Sequence, residues 1–296
     1  MLFLSAILLG QETVVIFSIN DPHSRIDNFP RLKTLIDNER AANNKVFFVS
    51  AGDIFSGNPI VDFHPNKGYP MVDLLNDCGL DISVIGNHEF DYGQEVLNAR
   101  IEQANFPFIC DNVYGATGAL NSVNGYEIIT KDGFSIAFVG VVETGSPGLY
   151  PLTHPKKIQG LTFSEGLESF PNYENLKTEQ NADLLVALTH YGYYKDKQIL
   201  ENYPFVDLVI GGHTNGEYGF FHENGYMVMS GKYLEKVSKT TLTVTNQTIT
   251  DFQFELIDLS DTSLPFDTDM QAKVTDYNNQ PEFYEVIGNA EVHHDK

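Results

Sequence analysis

Residues 86–93 read G-N-H-E-F-D-Y-G, and the four residues before them, Ile82-Ser83-Val84-Ile85, form a short apolar run. An apolar run closed by glycine reads as a buried strand entering a tight turn. Straight after it come an amide (Asn87), an imidazole (His88) and two carboxylates (Glu89 and Asp91), all within five residues. Packing alone gives no reason for so polar a loop at the end of a core strand.

The arrangement recurs at four other places. Residues 13–19 (TVVIFSI) run into Asn20-Asp21-Pro22-His23. Asp21 and His23 are two apart, so in an extended segment they leave the same face and suit one metal ion. Residues 45–50 (KVFFVS) run into Ala51-Gly52-Asp53, where the glycine lets the backbone turn sharply and lift the carboxylate above the sheet. Residues 183–189 (DLLVALT) end at His190, and residues 206–210 (VDLVI) lead into Gly211-Gly212-His213-Thr214-Asn215.

Helical patterns lie between these strands at 28–43, 71–76, 94–103 and 164–181, and a shorter one closes at 201–203. Alternation of strand and helix argues for βαβ units and a largely parallel sheet, an α/β fold. Residues 106–110 read as a further strand. Two alternating runs within 126–142 flank Lys131-Asp132-Gly133, a hairpin signal. The segment 143–159 reads as a loop, with His154 a solvated residue without partners. Residues 226–229, 236–244 and 248–257 read as antiparallel strands, with Asn246 at the turn between the last two. Residues 261–279 read as a polar helix or linker, and His293-His294 as part of a solvated tail.

Asp21, His23, Asp53, Asn87, His190, His213 and Asn215 thus all lie just beyond the carboxyl ends of expected strands, the edge where open α/β sheets bind ligands. Oxygen and imidazole donors without thiolate suit Zn, Mn, Fe or Co rather than Cu(I) or an iron–sulfur cluster. Seven donors exceed what one catalytic ion takes. Two ions sharing a bridging carboxylate, about 3.5–4 Å apart, fit better.

Composition sets the limits. The 296 residues carry 40 acidic against 18 basic side chains, a formal charge of −22. Such a surface repels nucleic-acid polymers and anionic membranes, yet admits a small phosphorylated substrate where divalent cations supply local positive charge. No run reaches the ~20 apolar residues of a membrane span. The apolar start, residues 1–10 (MLFLSAILLG), is expected to be a signal peptide ending near residue 12, with an extra apolar strand as the alternative. Together with the sequon Asn246-Gln247-Thr248, this makes the expected location extracellular. Cys78 and Cys110 either pair or stay as buried thiols, and their spacing excludes a zinc–thiolate site.

The pieces N-D-P-H, G-D-I-F-S-G-N-P, G-N-H-E-F-D-Y-G, L-T-H-Y-G and G-G-H-T-N, in this order, resemble the calcineurin-like metallophosphoesterases, and more narrowly their 5′-nucleotidase branch. The resemblance implies a four-layer α/β/β/α sandwich over 13–260. It implies that residues 261–296 are a linker helix and the start of a second domain that binds the base. It also implies one metal on Asp21, His23 and Asp53, and a second on Asp53, Asn87, His190 and His213. Asn215 stands where the superfamily has His and the nucleotidases often have Gln, so its ligation through a water is expected. His88 corresponds to the phosphate-facing catalytic residue and Asp91 to its orienting partner. The reaction implied is in-line hydrolysis of a nucleotide or related phosphoester by a water activated between two divalent ions, Zn or Mn before Fe or Co. Two other classes compete: a broader phosphodiesterase or nucleotide-sugar hydrolase, and a secreted protein of weak or no catalysis that keeps a structural metal site. Glu89 is expected to be an ordinary surface or turn residue.

Overall fold

The computed structural model describes residues 10–145 and 149–279. The expected signal segment and the 281–296 tail lie outside this range, apart from residues 10–12. Fourteen strands are present among the described residues: β1 (Glu12–Ile19), β2 (Val46–Ser50), β3 (Ile82–Val84), β4 (Phe108–Ile109), β5 (Val113–Tyr114), β6 (Tyr126–Lys131) and β7 (Phe134–Val142). They continue as β8 (Thr162–Phe163), β9 (Leu184–His190), β10 (Leu208–Gly211), β11 (Glu217–His222), β12 (Gly225–Ser230), β13 (Lys236–Thr245) and β14 (Thr248–Asp258). The helices are α1 (Phe29–Ala42), α2 (Pro59–Asp62), α3 (Tyr69–Asp77), α4 (Gln94–Gln103), α5 (Leu176–Gln180), α6 (Tyr193–Asn202) and α7 (Thr268–Asn278).

Two six-stranded sheets, β14-β13-β1-β2-β3-β4 and β11-β12-β10-β9-β7-β6, pack face to face. Strands β1 to β4 are mutually parallel, as are β7, β9, β10 and β12. The alternation of side chains explains why the runs are apolar throughout. In β1, Val14 and Ile16 face the opposite sheet, while Val15, Phe17 and Ile19 face the helices. In β9, Leu184, Val186 and Leu188 face inward, and Leu185 and Ala187 face outward. A strand covered on both faces has no polar side to show. Helices α1, α3 and α7 cover the first sheet, and α5 and α6 the second, giving the expected α/β/β/α layers.

Several local expectations are corrected. Residues 226–229 do not continue an antiparallel run with β13. They form β12, which adds to the second sheet parallel to β10 and antiparallel to β11, a strand the pattern does not reveal. The helical reading of 164–181 breaks into a 3₁₀ segment, Gly166–Tyr173, with Pro171 inside it, and the short α5, since proline cannot donate the helical hydrogen bond. The 106–110 strand shrinks to two residues. His154 is exposed but not without a partner: its Nδ1 accepts from the Lys156 amide and caps the 3₁₀ turn Pro155–Ile158. The β13–β14 hairpin turns on Asn246 and Gln247, both left-handed. Cys78 and Cys110 are buried free thiols. Within 261–279, α7 buries Met270 and Val274 against the first helical layer, and its Tyr277 donates to Asp73 on α3.

Phe47 of one sheet meets Phe134 and Phe138 of the other at ring-centroid distances of 6.5 Å. Phe138→Ala would empty this contact, and a loss of about 3–5 kcal/mol is expected, read as a lower urea midpoint at unchanged slope.

Candidate metal centre

The parallel strands of both sheets deliver their carboxyl ends to one rim. Five of the seven expected ligands, Asp21, His23, Asp53, His213 and Asn215, have positive φ, from 44° to 75°. Non-glycine residues reach that region at a cost of about 1–2 kcal/mol each, so strain is concentrated where each strand ends abruptly and turns its polar side chain over the rim. Gly86 permits a close approach that no side chain would: a Cβ there would lie 2.3 Å from Asp53 Oδ1.

Three imidazoles converge on one oxygen. His190 Nε2 lies 3.0 Å from Asp53 Oδ2, His23 Nε2 3.8 Å and His88 Nε2 4.0 Å. His190 Nδ1 donates to the Ala51 carbonyl at 2.8 Å and His23 Nδ1 to the Ser56 carbonyl at 3.2 Å. His88 Nδ1 is 2.6 Å from Asp91 Oδ2. Carbonyl and carboxylate oxygens accept only, so each Nδ1 carries the hydrogen; neutral His23 and His190 then present an Nε2 lone pair to the centre, and His88 turns its Nε2 the same way. Asn87 is oriented in the same way. Its amide nitrogen donates to the Leu152 carbonyl, which leaves Oδ1 facing His190 Nε2 at 3.1 Å and His213 Nδ1 at 3.2 Å. Asp21 Oδ2 accepts from Asn20 Nδ2 and from the His213 amide, and its Oδ1 is 3.8 Å from His23 Nε2. Asn215 stands exposed and makes no side-chain hydrogen bond among the described residues.

These groups fit divalent cations. With its Nδ1–H committed to Ala51, neutral His190 turns an acceptor toward the Asp53 carboxylate and the Asn87 amide oxygen, and acceptors 3.0–3.1 Å apart repel unless positive charge sits between them. Without a cation that charge must be a proton. Burial resists protonation of His190, but the adjacent Asp53 carboxylate outweighs it and raises the pKa to about 10. Burial likewise opposes ionisation of Asp53, yet His190 holds its carboxyl below the usual range. Asp21, with less compensation, is pushed up by burial despite His190. Two groups of three ligand atoms close enough to hold an ion, His23-Asp53-His88 and Asp21-Asp53-His190, share Asp53, as a bridging carboxylate requires.

The expectation for Glu89 is overturned. It is fully buried, and its Oε1 accepts from the Ile54 and Phe55 amides and its Oε2 from those of Asp53 and Gly86. Burial, then the Asp53 charge, pushes its pKa up to about 7. The one-dimensional signal was weak, because an acidic residue beside a glycine turn reads as solvent-facing. Other supports also escaped the sequence. Ser56 donates to Asp91 at 2.7 Å, Thr153 donates to the other Asp91 oxygen, and buried Asp196 accepts from Thr189, next to His190. His154 takes no part.

Residues 14–216 match the sequence model of the Calcineurin-like phosphoesterase family. The chain belongs to that family. A 5′-nucleotidase of Vibrio cholerae serotype O1 is 31% identical over 199 residues, which cover 62% of this chain and 35% of the relative. A snake venom 5′-nucleotidase of Gloydius brevicauda is 27% identical over 231 residues, covering 71% of this chain and 38% of the relative. This chain therefore aligns with well under half the length of these relatives. Among solved structures, a 5′-nucleotidase precursor from Thermus thermophilus superposes with a TM-score of 0.79 at 18% identity, over 92% of this chain and 59% of that one. The calcineurin-like phosphoesterase YfkN from Bacillus subtilis superposes with a TM-score of 0.73 at 19% identity, over 93% and 99%. At these identities the structures show a shared fold.

Two outcomes are expected. Glu89→Gln places an amide NH₂ against backbone donors and should cost about 2–4 kcal/mol by urea unfolding. Asp91→Asn should lower the His88 pKa in metal-free protein from about 9 toward 6.5, followed by NMR titration. The sign follows from the Asp91 hydrogen bond, which, with the Asp53 charge, overcomes the opposing effect of burial.

Proposed function

We propose that the protein is a metal-dependent hydrolase of small phosphoesters, nucleotides foremost, with two divalent cations at the rim. The observation that carries this is the convergence of His23 and His190 on one oxygen of Asp53, with Asp21 beside His23 and the far nitrogen of each ring already tied down. Asp21, His23 and Asp53 would hold one ion, and Asp53, Asn87, His190 and His213 the other. Zn and Mn come first by donor type, with Fe and Co next. Exposed Asn215 would act through a water. When bound, the two ions supply Lewis-acid charge to a phosphoryl oxygen and lower the pKa of water.

His88 is assigned a different part from its neighbours. Its side chain is 35% exposed where that of His190 is fully buried, and, against the effect of burial, the Asp91 hydrogen bond favours its protonated form. A protonated, half-exposed imidazole is suited to donate from Nε2 to a phosphoryl or departing oxygen. Asp91 holds Nδ1, and Ser56 and Thr153 hold Asp91, so the ring is fixed before substrate arrives. We also read the protein as exported. The exposed Asn246 of the sequon and a venom relative support this, and mass spectrometry of glycosylated, N-terminally processed protein recovered outside cells tests it.

Metal analysis with a panel of p-nitrophenyl phosphate, bis-p-nitrophenyl phosphate, AMP and UDP-glucose tests the main reading. Chelation is expected to abolish turnover, and Mn or Zn to restore it. His88→Ala should keep the metal and lose about 10²–10⁴-fold in kcat. Active protein free of transition metal would overturn the reading. Metal-replete protein inert to all four esters would favour a binding role, and preference for the diester or UDP-glucose would favour the broader class.

A further inference from the structure

We propose that Glu143 is a positioning residue for one cation of the pair: it sets the hold on the ion at Asn87, His190 and His213 and leaves the ion at Asp21 and His23 unaffected. The inference rests on the two-cation reading and adds to it a residue that makes the two sites unequal. Glu143 directly follows β7 and is buried. Its Oε1 accepts from the Leu152 amide, and its Oε2 from the Gly145 amide at 2.6 Å. No lysine, arginine or histidine forms an ion pair with it among the described residues. A carboxylate taken out of water without a counter-ion is costly, and a cation site close by offsets that cost.

Leu152 links this carboxylate to the rim. Its amide is held by Glu143, and its carbonyl accepts from Asn87 Nδ2 at 3.0 Å. With its two halves exchanged, the Asn87 amide would offer NH₂ to the rim in place of Oδ1, and NH₂ cannot ligate. The Leu152 carbonyl opposes that exchange, and Glu143 fixes where the carbonyl lies. The Leu152 side chain is 70% exposed, so backbone bonds rather than packing keep it in place. Glu143 also reaches the other two ligands. Its own amide donates to the His190 carbonyl at 2.7 Å. Burial, then the charge of His190, lower the His213 pKa, and the Glu143 carboxylate opposes both, so its negative charge is felt at that ring. Asp21 and His23 are supported elsewhere, by Asn20 and by the Ser56 carbonyl, and neither bonds to Glu143 or Leu152.

The test starts from Mn-loaded protein and withdraws metal with a graded competing chelator. Elemental analysis counts the ions retained, and electron paramagnetic resonance reads whether they are spin-coupled as a pair. Glu143→Ala is expected to keep one Mn within about twofold of the parent affinity and to hold the other about tenfold or more weakly, as removal of a ligand's supporting partner does. The pair signal should vanish at chelator levels the parent withstands. Glu143→Gln keeps the length and one acceptor oxygen, and the same asymmetry is expected at smaller size; it decides the matter should Glu143→Ala not fold. Asn87→Ala identifies the ion concerned. Adding Glu143→Ala to it is expected to cost less than about threefold more, because the ligand through which Glu143 acts is already gone. Equal weakening of both ions, unchanged affinity for both, or losses that multiply in full in the double variant would overturn this proposal and leave the two-cation reading standing. A parent that takes up fewer than two Mn ions would remove that reading, and this proposal with it.

Discussion

A single buried carboxylate holds the two central loops of the rim together. Glu89 comes from the loop after β3, and three of its four backbone partners belong to the loop after β2. No side chain bonded to water could fix those amides in this way, because each would trade one flexible partner for another. A fully desolvated acceptor does so, since any displacement strands N–H groups at a cost of about 1–3 kcal/mol apiece. The position of Asp53, and hence the point on which three imidazoles converge, follows from this bond set.

The centre is an electrostatic compromise that the fold alone does not balance. Asp21, Asp53 and Glu89 are buried within one polar pocket, with His190 as the only fully buried imidazole among the described residues. The result is carboxylates pushed in opposite directions, with Asp53 down and Asp21 up, and a histidine pushed far above its ordinary value. Groups so displaced are out of balance with their own surroundings and in balance with a cation, a pattern that marks functional sites. Two sheets packed core to core make this sustainable. Strands close-packed on both faces can move only by breaking the packing of two layers at once, so the strained turns at their ends are over-determined by the layers beneath.

Much of this was legible in one dimension. Apolar runs such as TVVIFSI and DLLVALT declare strands buried on both faces, and a polar residue at the end of each declares a rim. Residue type fixes the donor chemistry wherever the chain goes. Less legible were elements whose identity depends on partners. Residues 226–229 have strand propensity in any sheet, and only their pairing with β10 and β11 decides which one. The 164–181 stretch has helical spacing, but Pro171 divides it.

By itself, then, the sequence determined the α/β alternation, the metal-type ligand set at the strand ends and the acidic surface, because these follow from local periodicity and side-chain chemistry. Only the tertiary structure decided that Glu89 is a buried clamp rather than a surface residue, which nitrogen of each histidine faces the centre, and that Asp21 accepts from the amide of His213, 192 residues away. Burial, tautomer and long-range hydrogen bonds depend on neighbours that meet only when both sheets are assembled, and no local pattern in the chain encodes that meeting.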